Sequence, residues 1–187
     1  SFGGTTDFGG GLVFNQGGAD VFVLSLTGVG TFRWARGFGA SSTDVAEALA
    51  VDSQGNVTIG GGFNVAIDFG GGILTSAGGA DVFVAQFDAD GAHRWSHRFG
   101  DANLFQSSMG IAIGPGDVVT TTGFFSGTVD FGGGPIVGNS TFNPTDVFVA
   151  SFDADGVHRW STSHGEAGTD RGEAIAYGSQ EIGRAHV

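Results

Sequence analysis

The chain of 187 residues contains neither cysteine nor lysine. Without cysteine it can form no disulfide and no thiolate site. With seven arginines against 19 acidic residues, it also lacks the clustered cations that bind a phosphate backbone or an anionic membrane surface. No segment approaches the ~18 consecutive apolar residues of a membrane span. The composition therefore predicts no nucleic-acid partner and no membrane insertion.

Glycine and phenylalanine are abundant, with 37 and 18 residues respectively. The glycines occur in clusters and not at every third position, which excludes a collagen helix. Hydrophobic residues make up 40% of the chain, which is too many for a disordered glycine-rich linker. Short runs of Val, Phe, Ile and Thr between glycines predict an all-β fold.

Three sequence landmarks recur along the chain in one order. Asp-Val-Phe-Val begins at residues 20, 81 and 146, Arg-Trp at 33, 94 and 159, and Asp-Phe-Gly-Gly at 7, 68 and 130. The spacings lie between 61 and 65 residues. Landmarks that keep both order and spacing indicate repeated structural units.

Each complete unit is predicted to contain four strands, a to d, joined by short Gly/Asp turns into an antiparallel meander. A glycine-rich segment between b and c, residues 64–79, is predicted to be a small hairpin or an ordered loop. The predicted ranges are 45–52, 107–114 and 171–178 for strand a, 56–63 and 118–125 for strand b, 81–88 for strand c, and 93–100 for strand d.

Strand c is apolar on both faces. In the first copy Val21 and Val23 point to one side, whereas Phe22, Leu24 and Leu26 point to the other. A sheet with one solvated face would alternate apolar and polar residues instead. The pattern therefore predicts that strand c is covered on both sides.

Residue size increases from strand a to strand d. Strand a carries small residues such as Ala46, Ala48 and Ala50, and strand d carries Trp34, Trp95 and Trp160. Sheets that converge at strand a and diverge at strand d fit this gradient, as in a β-propeller.

The unit "AVDSQGNVTIGGGF…VDFGGG…DVFVAQFDADGAHRWSHRFG" resembles the bacterial beta-propeller repeat known as SBBP, of the NHL-like propeller group. The resemblance covers about residues 2–180. It implies a multi-blade propeller in a large exported or cell-surface bacterial protein, and it brings no catalytic residue set and no cofactor.

The expected architecture is a partial β-propeller of four-stranded antiparallel blades with an incomplete ring. "EIGRAHV" at the end matches the translation of a sequencing adapter, and we interpret it as a non-native tail. Because the chain begins at Ser1 and its single methionine is Met109, we expect a piece of a longer protein. The expected divisions are a blade remnant at 1–40, blades at 41–103 and 104–165, the start of a further blade at 166–180, and the tail at 181–187.

Two copies of Asp-Ala-Asp-Gly are weak candidates for metal binding through Asp88, Asp90, Asp153 and Asp155. A calcium loop of the EF-hand type needs further ligands that are missing here. The first copy also has Thr-Gly-Val-Gly at the same place, residues 27–30. We therefore interpret the motif as the c–d turn and predict no metal site and no cofactor.

The other recurrent polar motifs also favour structural roles. Asp-Phe-Gly-Gly-Gly lacks the lysine and helix of a phosphate loop, and is interpreted as a tight turn with its phenylalanine packed on a blade. Asp20, Asp81 and Asp146 are expected to cap the loop that enters strand c. His93 and His158 occupy a position that is Phe32 in the first copy, which indicates packing.

No catalytic residues are predicted. The expected function is a non-catalytic scaffold or binding module, exported or on the bacterial cell surface, whose partners are an unknown protein or glycan ligand and the remaining blades of the same propeller. The alternative is a fragment of a propeller enzyme, of glycosidase or lyase type, with its active site largely in missing blades. Segments 103–108 and 138–145 depart most from the repeat and are the best candidates for functional variation.

Overall fold

The computed structural model describes residues 1–102, 105–138 and 145–178. These ranges contain sixteen β-strands and no helix, so none of them holds a helix able to cross a membrane. The predicted all-β class is confirmed. The strands are β1 (Thr6–Asp7), β2 (Leu12–Val13), β3 (Val21–Leu26), β4 (Phe32–Phe38), β5 (Val45–Val51), β6 (Val57–Phe63), β7 (Ala66–Asp68), β8 (Ile73–Thr75), β9 (Asp81–Phe87), β10 (His93–Phe99), β11 (Ser107–Gly114), β12 (Val118–Phe125), β13 (Thr128–Asp130), β14 (Pro135–Val137), β15 (Asp146–Phe152) and β16 (His158–His164).

Two four-stranded antiparallel sheets contain most of these strands. The spatial order is β5-β6-β9-β10 in one and β11-β12-β15-β16 in the other. Apart from the inserted hairpin, the order of the strands in each sheet is their order along the chain. This is expected for antiparallel strands joined by short turns. The predicted meander is confirmed, and for the six of these strands that were given a range, all but β15 and β16, the ends agree with the prediction to within one residue.

A small hairpin is inserted between the second and third strands of each sheet. β7 pairs with β8, with Ile67 opposite Leu74, and β13 pairs with β14, with Val129 opposite Ile136. The segment 64–79 is therefore a hairpin and not merely an ordered loop. The first copy has the matching hairpin β1–β2 and the pair β3–β4.

The hydrophobic cores lie between successive copies of the unit, at contacts that we call the first joint (residues 1–39 against 44–99) and the second joint (residues 44–99 against 107–164). β9 serves both cores with its opposite faces, and all seven of its residues are buried. The first core includes Val21, Trp34, Phe38, Phe69, Phe83 and Phe87. The second includes Val82, Val84, Trp95, Phe99, Phe131, Phe148 and Phe152.

The two-sided covering predicted for strand c is complete for β9 but only partial for β3. Val21 and Val23 are 0% and 2% exposed, whereas Leu26 is 46% exposed. The second face of β3 is covered by its own hairpin, where Phe8 stacks on Phe22 with ring centroids 4.9 Å apart. Full burial of this strand needs a sheet on each side, and the described residues place one on only one side.

Residues 171–178, predicted as a third strand a, do not form a named strand. The segment instead lies along the preceding sheet. The Gly172 N–H donates to the Gly123 carbonyl at 3.1 Å, and the Tyr177 and Thr120 hydroxyls are hydrogen bonded. A strand needs a neighbour to complete its ladder, and no strand follows this segment among the described residues.

Candidate functional site at the joints between repeats

The Asp-Ala-Asp-Gly motifs form the turns between strands c and d. The Oδ1 atom of Asp88 accepts the N–H groups of Asp90 at 2.9 Å and Ala92 at 2.8 Å. Asp153 makes the same pair of bonds in the next copy, at 3.0 and 2.9 Å. The first aspartate of each motif is therefore used to cap its own turn, in the manner of an Asx turn.

The second aspartate of each motif faces an arginine of the preceding copy. Asp90 lies 3.6 Å from Arg33, and Asp155 lies 3.7 Å from Arg94. Both aspartates are largely exposed, so each ion pair contributes little to stability. The four weak metal candidates thus lie in two separate turns, and the described residues contain no cluster of three potential metal ligands.

A tryptophan from the preceding copy binds each of these turns. The Trp34 Nε1–H donates to the Ala89 carbonyl at 2.9 Å, and the Trp95 Nε1–H donates to the Ala154 carbonyl at 3.2 Å. Both indoles are buried, at 7% and 8% exposure. We call this contact the tryptophan latch.

The glycine of each turn allows the indole to approach. Gly91 has φ +82° and Gly156 has φ +81°. A Cβ at these positions would lie 2.8 Å from the Trp34 ring and 2.7 Å from the Trp95 ring. Each position therefore requires glycine for two reasons: the backbone is left-handed, and a side chain would collide with the indole.

The second joint is also held at the turns between strands a and b of the two copies. Asp117 accepts the Ser53 N–H and the Ser53 hydroxyl, both at 3.0 Å. These two hydrogen bonds hold the pKa of Asp117 below its usual value. The second joint is thus held by polar contacts at two turns, with the hydrophobic core between them.

The inserted hairpins are closed by their aspartates. Asp68 Oδ1 accepts the N–H groups of Gly70 at 2.7 Å and Gly72 at 3.1 Å. Asp130 and Asp7 make the equivalent bonds in the other two hairpins. The backbone donors lower the pKa of Asp7. The interpretation of Asp-Phe-Gly-Gly-Gly as a tight turn is confirmed.

The phenylalanine of the motif packs as predicted in the two complete copies. Phe69 and Phe131 are 2% and 1% exposed. The rings of Phe32, His93 and His158 lie over the middle glycine of each hairpin. The two histidines therefore occupy a packing position, which is consistent with a phenylalanine at the same place in the first copy.

A cleft opens at the first joint between the end of β4 and the hairpin β7–β8. Its volume is about 270 Å³. Phe38 and Ile67 contribute apolar walls, and Gln16 and Asp68 contribute polar side chains. Such a mixture of apolar walls and a few polar groups is typical of a small-molecule site, and the volume lies just below the range of roughly 300–1,000 Å³ that such sites have.

The cleft lies where the first two copies differ in sequence. Ala40, which lines it, is replaced at the second joint by Asp101, and the Asp101 carboxylate accepts the Thr128 N–H at 3.0 Å. That bond ties the end of strand d to the next hairpin. Alanine cannot make this bond, so the end of β4 lacks this tie to the hairpin β7–β8.

Two buried carboxylates lie behind the cleft. Asp20 and Asp44 are 1% and 0% exposed. Asp20 accepts the Gln16 N–H at 2.6 Å, and Asp44 accepts the Asn64 N–H at 2.9 Å. Burial raises the pKa of Asp44, hydrogen bonds from Asn64 and Ala40 oppose that rise, and the nearby charge of Asp20 adds to it.

At the second joint the carboxylate that corresponds to Asp20 lies beside an arginine. Asp81 accepts the Ala77 N–H at 2.9 Å, as predicted for a cap, and also forms an ion pair with Arg98 at 2.7 Å. Gln106 stands in the place of Asp44. The two joints therefore share their cores but differ in charge.

The segments predicted to carry functional variation are only partly described. Residues 103–104 and 139–144 lie outside the described residues, as does the tail 181–187. In the described part, Phe105 is 63% exposed and Gln106 is buried. The tryptophan latch and the cleft were not predicted; the recurrent Arg-Trp landmark and the exchange of Asp101 for Ala40 were the available signals.

No family model matches this sequence. Regulatory protein FlaEY of Caulobacter vibrioides (strain ATCC 19089 / CIP 103742 / CB 15) is 26% identical to it over 197 aligned positions. The alignment covers 97% of this chain and 20% of FlaEY. The chain thus spans about a fifth of the length of the curated relative that it matches.

Proposed function

We propose that the chain is an arc of a β-propeller of the SBBP type, and that it is a non-catalytic binding module of an exported or cell-surface bacterial protein. The observation that carries the proposal is the repeated joint. The latch from Trp34 to Ala89 recurs from Trp95 to Ala154, and a core that contains one tryptophan and five phenylalanines accompanies each. Units that stack by one repeated contact build an arc.

The packing between the sheets supports a propeller over a flat stack. Near the inner strands the sheets approach so closely that a Cβ on Gly60 would lie 2.5 Å from the Ser108 hydroxyl. Near the outer strands the space is filled by Phe99, Phe152 and Trp95. Sheets that are close at one edge and apart at the other are arranged as blades.

Binding is proposed for the first-joint cleft. The rigid ends of β4 and β7 position it, and its sequence departs from that of the second joint. The net charge of −12 disfavours polyanionic ligands. An uncharged glycan fits best, because its apolar ring faces can pack on Ile73, which lines the cleft and is 72% exposed, while its hydroxyls reach Gln16 and Asp68. The relative FlaEY is a regulatory protein by name, and regulation through binding is compatible with a module of this kind.

The proposal is tested with the neutral oligosaccharides maltohexaose, cellohexaose and N-acetylchitohexaose, with a heparin hexasaccharide as the polyanionic comparison. Amide chemical shifts of the full chain are followed by NMR during titration. We expect at least one neutral oligosaccharide to shift the amides of residues 37–40 and 66–68, and heparin to shift none of them.

The matched variants are Ala40→Asp and Ala167→Asp. Ala40→Asp introduces the residue that closes the second joint, and should weaken binding about tenfold or more, or ~1.4 kcal/mol. Ala167→Asp adds the same charge on an exposed loop and should leave binding unchanged. Absence of binding by every sugar would contradict the glycan proposal, and shifts produced by a protein partner instead would favour a peptide ligand. Shortened oligosaccharides in the sample would favour the alternative of a propeller enzyme.

A further inference from the structure

Trp160 of the third copy holds the position from which the other two tryptophans reach a turn. It lies opposite Ser151 in the pairing of β15 with β16, just as Trp34 lies opposite Ser25 and Trp95 opposite Gln86. Each of these pairings carries its irregularity at the same place, beside the tryptophan. The backbone therefore presents Trp160 on the face that carries the latch in the first two copies.

The face around Trp160 is not covered by the described residues. Trp160 is only partly buried, whereas Trp34 and Trp95 are 7% and 8% exposed. His164 is exposed as well, at the position where Phe38 and Phe99 are 8% and 7% exposed. An aromatic surface that is already formed but uncovered marks an interaction site.

The two joints show what kind of surface fits this face. At both joints the occupant is a turn whose second residue offers a carbonyl to the indole and whose glycine lies against the ring. Its third residue is an aspartate near the arginine that precedes the tryptophan. Arg159 supplies the same cation next to Trp160. The complementary turn therefore has the sequence Asp-X-Asp-Gly.

The turn of the first copy is a poorer match. Gly30 has φ +80°, close to the values of Gly91 and Gly156, and no atom lies within 4 Å of a Cβ placed on it. The turn therefore has the required backbone conformation, and no indole lies against its glycine. However, Val29 stands where the other turns have Asp90 and Asp155, and it is 90% exposed. A second copy of this chain docking by its first turn would leave Arg159 without a carboxylate.

We propose that the β16 face carrying Arg159, Trp160 and His164 docks a further repeat unit of the same kind, through an Asp-X-Asp-Gly turn that accepts the Trp160 indole N–H. The inference rests on the proposed propeller architecture and is independent of glycan binding. It assigns this face to continuation of the array by one more blade and not to a soluble ligand.

The experiment compares the full chain with an extended chain. The extended chain consists of residues 1–178 followed directly by a second copy of residues 115–178. The junction keeps the repeat in register, because 171–178 matches 107–114 in the preceding copy. The added copy supplies a strand b next to residues 171–178, as well as a new Asp-Ala-Asp-Gly turn for Trp160.

The measurement is hydrogen exchange of the tryptophan indole N–H groups by NMR, with the Trp160 signal assigned from Trp160→Phe. In the full chain we expect Trp160 to exchange about 100-fold faster than Trp34 and Trp95. In the extended chain its exchange should slow by about tenfold or more. Replacing the glycine of the added turn by alanine should restore fast exchange, while unchanged Trp34 and Trp95 signals show that the remaining joints are folded.

Two results would overturn the proposal. Exchange of Trp160 that is equally fast in the extended chain means that this face does not take a further repeat. Protection that rises with protein concentration in the full chain, and is lost in Gly30→Ala, means that a second copy docks head to tail. Because no sugar is present, either result leaves the glycan proposal to its own titration.

Discussion

Replacing Gly156 by alanine tests the tryptophan latch directly. Gly156 ends the turn that receives Trp95, and its φ is +81°. An alanine there must adopt a left-handed backbone, and its methyl group must also find space beside the indole. The first cost arises wherever a glycine has positive φ, whereas the second arises only if the latch is present.

The two costs can be separated in magnitude. A left-handed backbone costs a non-glycine residue roughly 1–2 kcal/mol. The new Cβ would lie 2.7 Å from the Trp95 ring, about 1 Å closer than carbon atoms normally approach. Overpacking of this kind costs about 1–3 kcal/mol. Gly156→Ala should therefore lower the free energy of unfolding by about 2–5 kcal/mol.

Gly116→Ala is the matched control, because Gly116 has φ +73° and no atom within 4 Å of a Cβ placed on it. It lies in the a–b turn of the same sheet and should cost only the backbone contribution of roughly 1–2 kcal/mol. Gly91→Ala repeats the test at the first joint. Urea unfolding, followed by far-UV circular dichroism and tryptophan fluorescence, gives the free energies. Equal losses for Gly156→Ala and Gly116→Ala would refute the latch.

Three further predictions use the same unfolding assay. Trp95→Phe removes the donor to the part-buried Ala154 carbonyl and part of a buried indole, and should cost about 1–3 kcal/mol. Trp160→Phe should change stability by less than about 0.5 kcal/mol. Burial lowers the pKa of His97, and its contact with the Gly156 backbone opposes that shift. Because the unfolded chain therefore binds the proton more readily, the free energy of unfolding should fall as the pH drops below about 6.5. His97→Gln should make this fall smaller. Burial raises the pKa of Asp44, so the folded chain binds its proton more readily. Stability should therefore fall as the pH rises above about 4, and Asp44→Asn should remove this pH dependence while leaving one of the N–H groups of Asn64 and Ala40 without an acceptor.

The strands of the complete units could be predicted because several local signals agree. The turn around Asp88 ends one strand and starts the next, and apolar runs on both sides give the extended segments their length. The repeat provides a second test, because a strand range predicted in one copy must also fit the sequence of the next copy. β11 and β12 match their predicted ranges for this reason.

The wrong predictions share one physical cause, which is that a strand depends on its neighbours. Residues 171–178 have the sequence of strand a but no following strand b among the described residues, and they pack through Tyr177 instead. Phe22 has the pattern of a doubly covered strand, but on its second face it contacts Phe2 and Phe8 of its own copy and no further sheet. A sequence pattern states what a segment can bury, and the neighbouring sheet decides whether it is buried.

The candidate site was less accessible to sequence reasoning than the fold. The latch joins Trp34 to Ala89 across 55 positions, and no local rule relates a tryptophan to a turn in the next copy. The glycine of Asp-Ala-Asp-Gly could be assigned to turn geometry from its neighbours alone. The same glycine also leaves space for an indole. This second role depends on the contact between two copies and cannot be predicted from one copy.

The differences between the joints explain how one scaffold can carry different surfaces. Hydrophobic cores and the latch hold both joints in the same way, so polar residues at the joint edges can differ without loss of the fold. At the second joint Arg98 neutralises Asp81 and Gln106 is uncharged. At the first joint Asp20 and Asp44 are both acidic and buried, and the described residues supply no arginine in the place of Arg98. A ligand entering the first-joint cleft therefore lies near two buried carboxylates with no arginine in the place of Arg98, whereas one repeat later it would meet a neutralised Asp81 and Asp101 in the place of Ala40. This difference in the placement of charge, on a constant frame, can give each joint its own specificity.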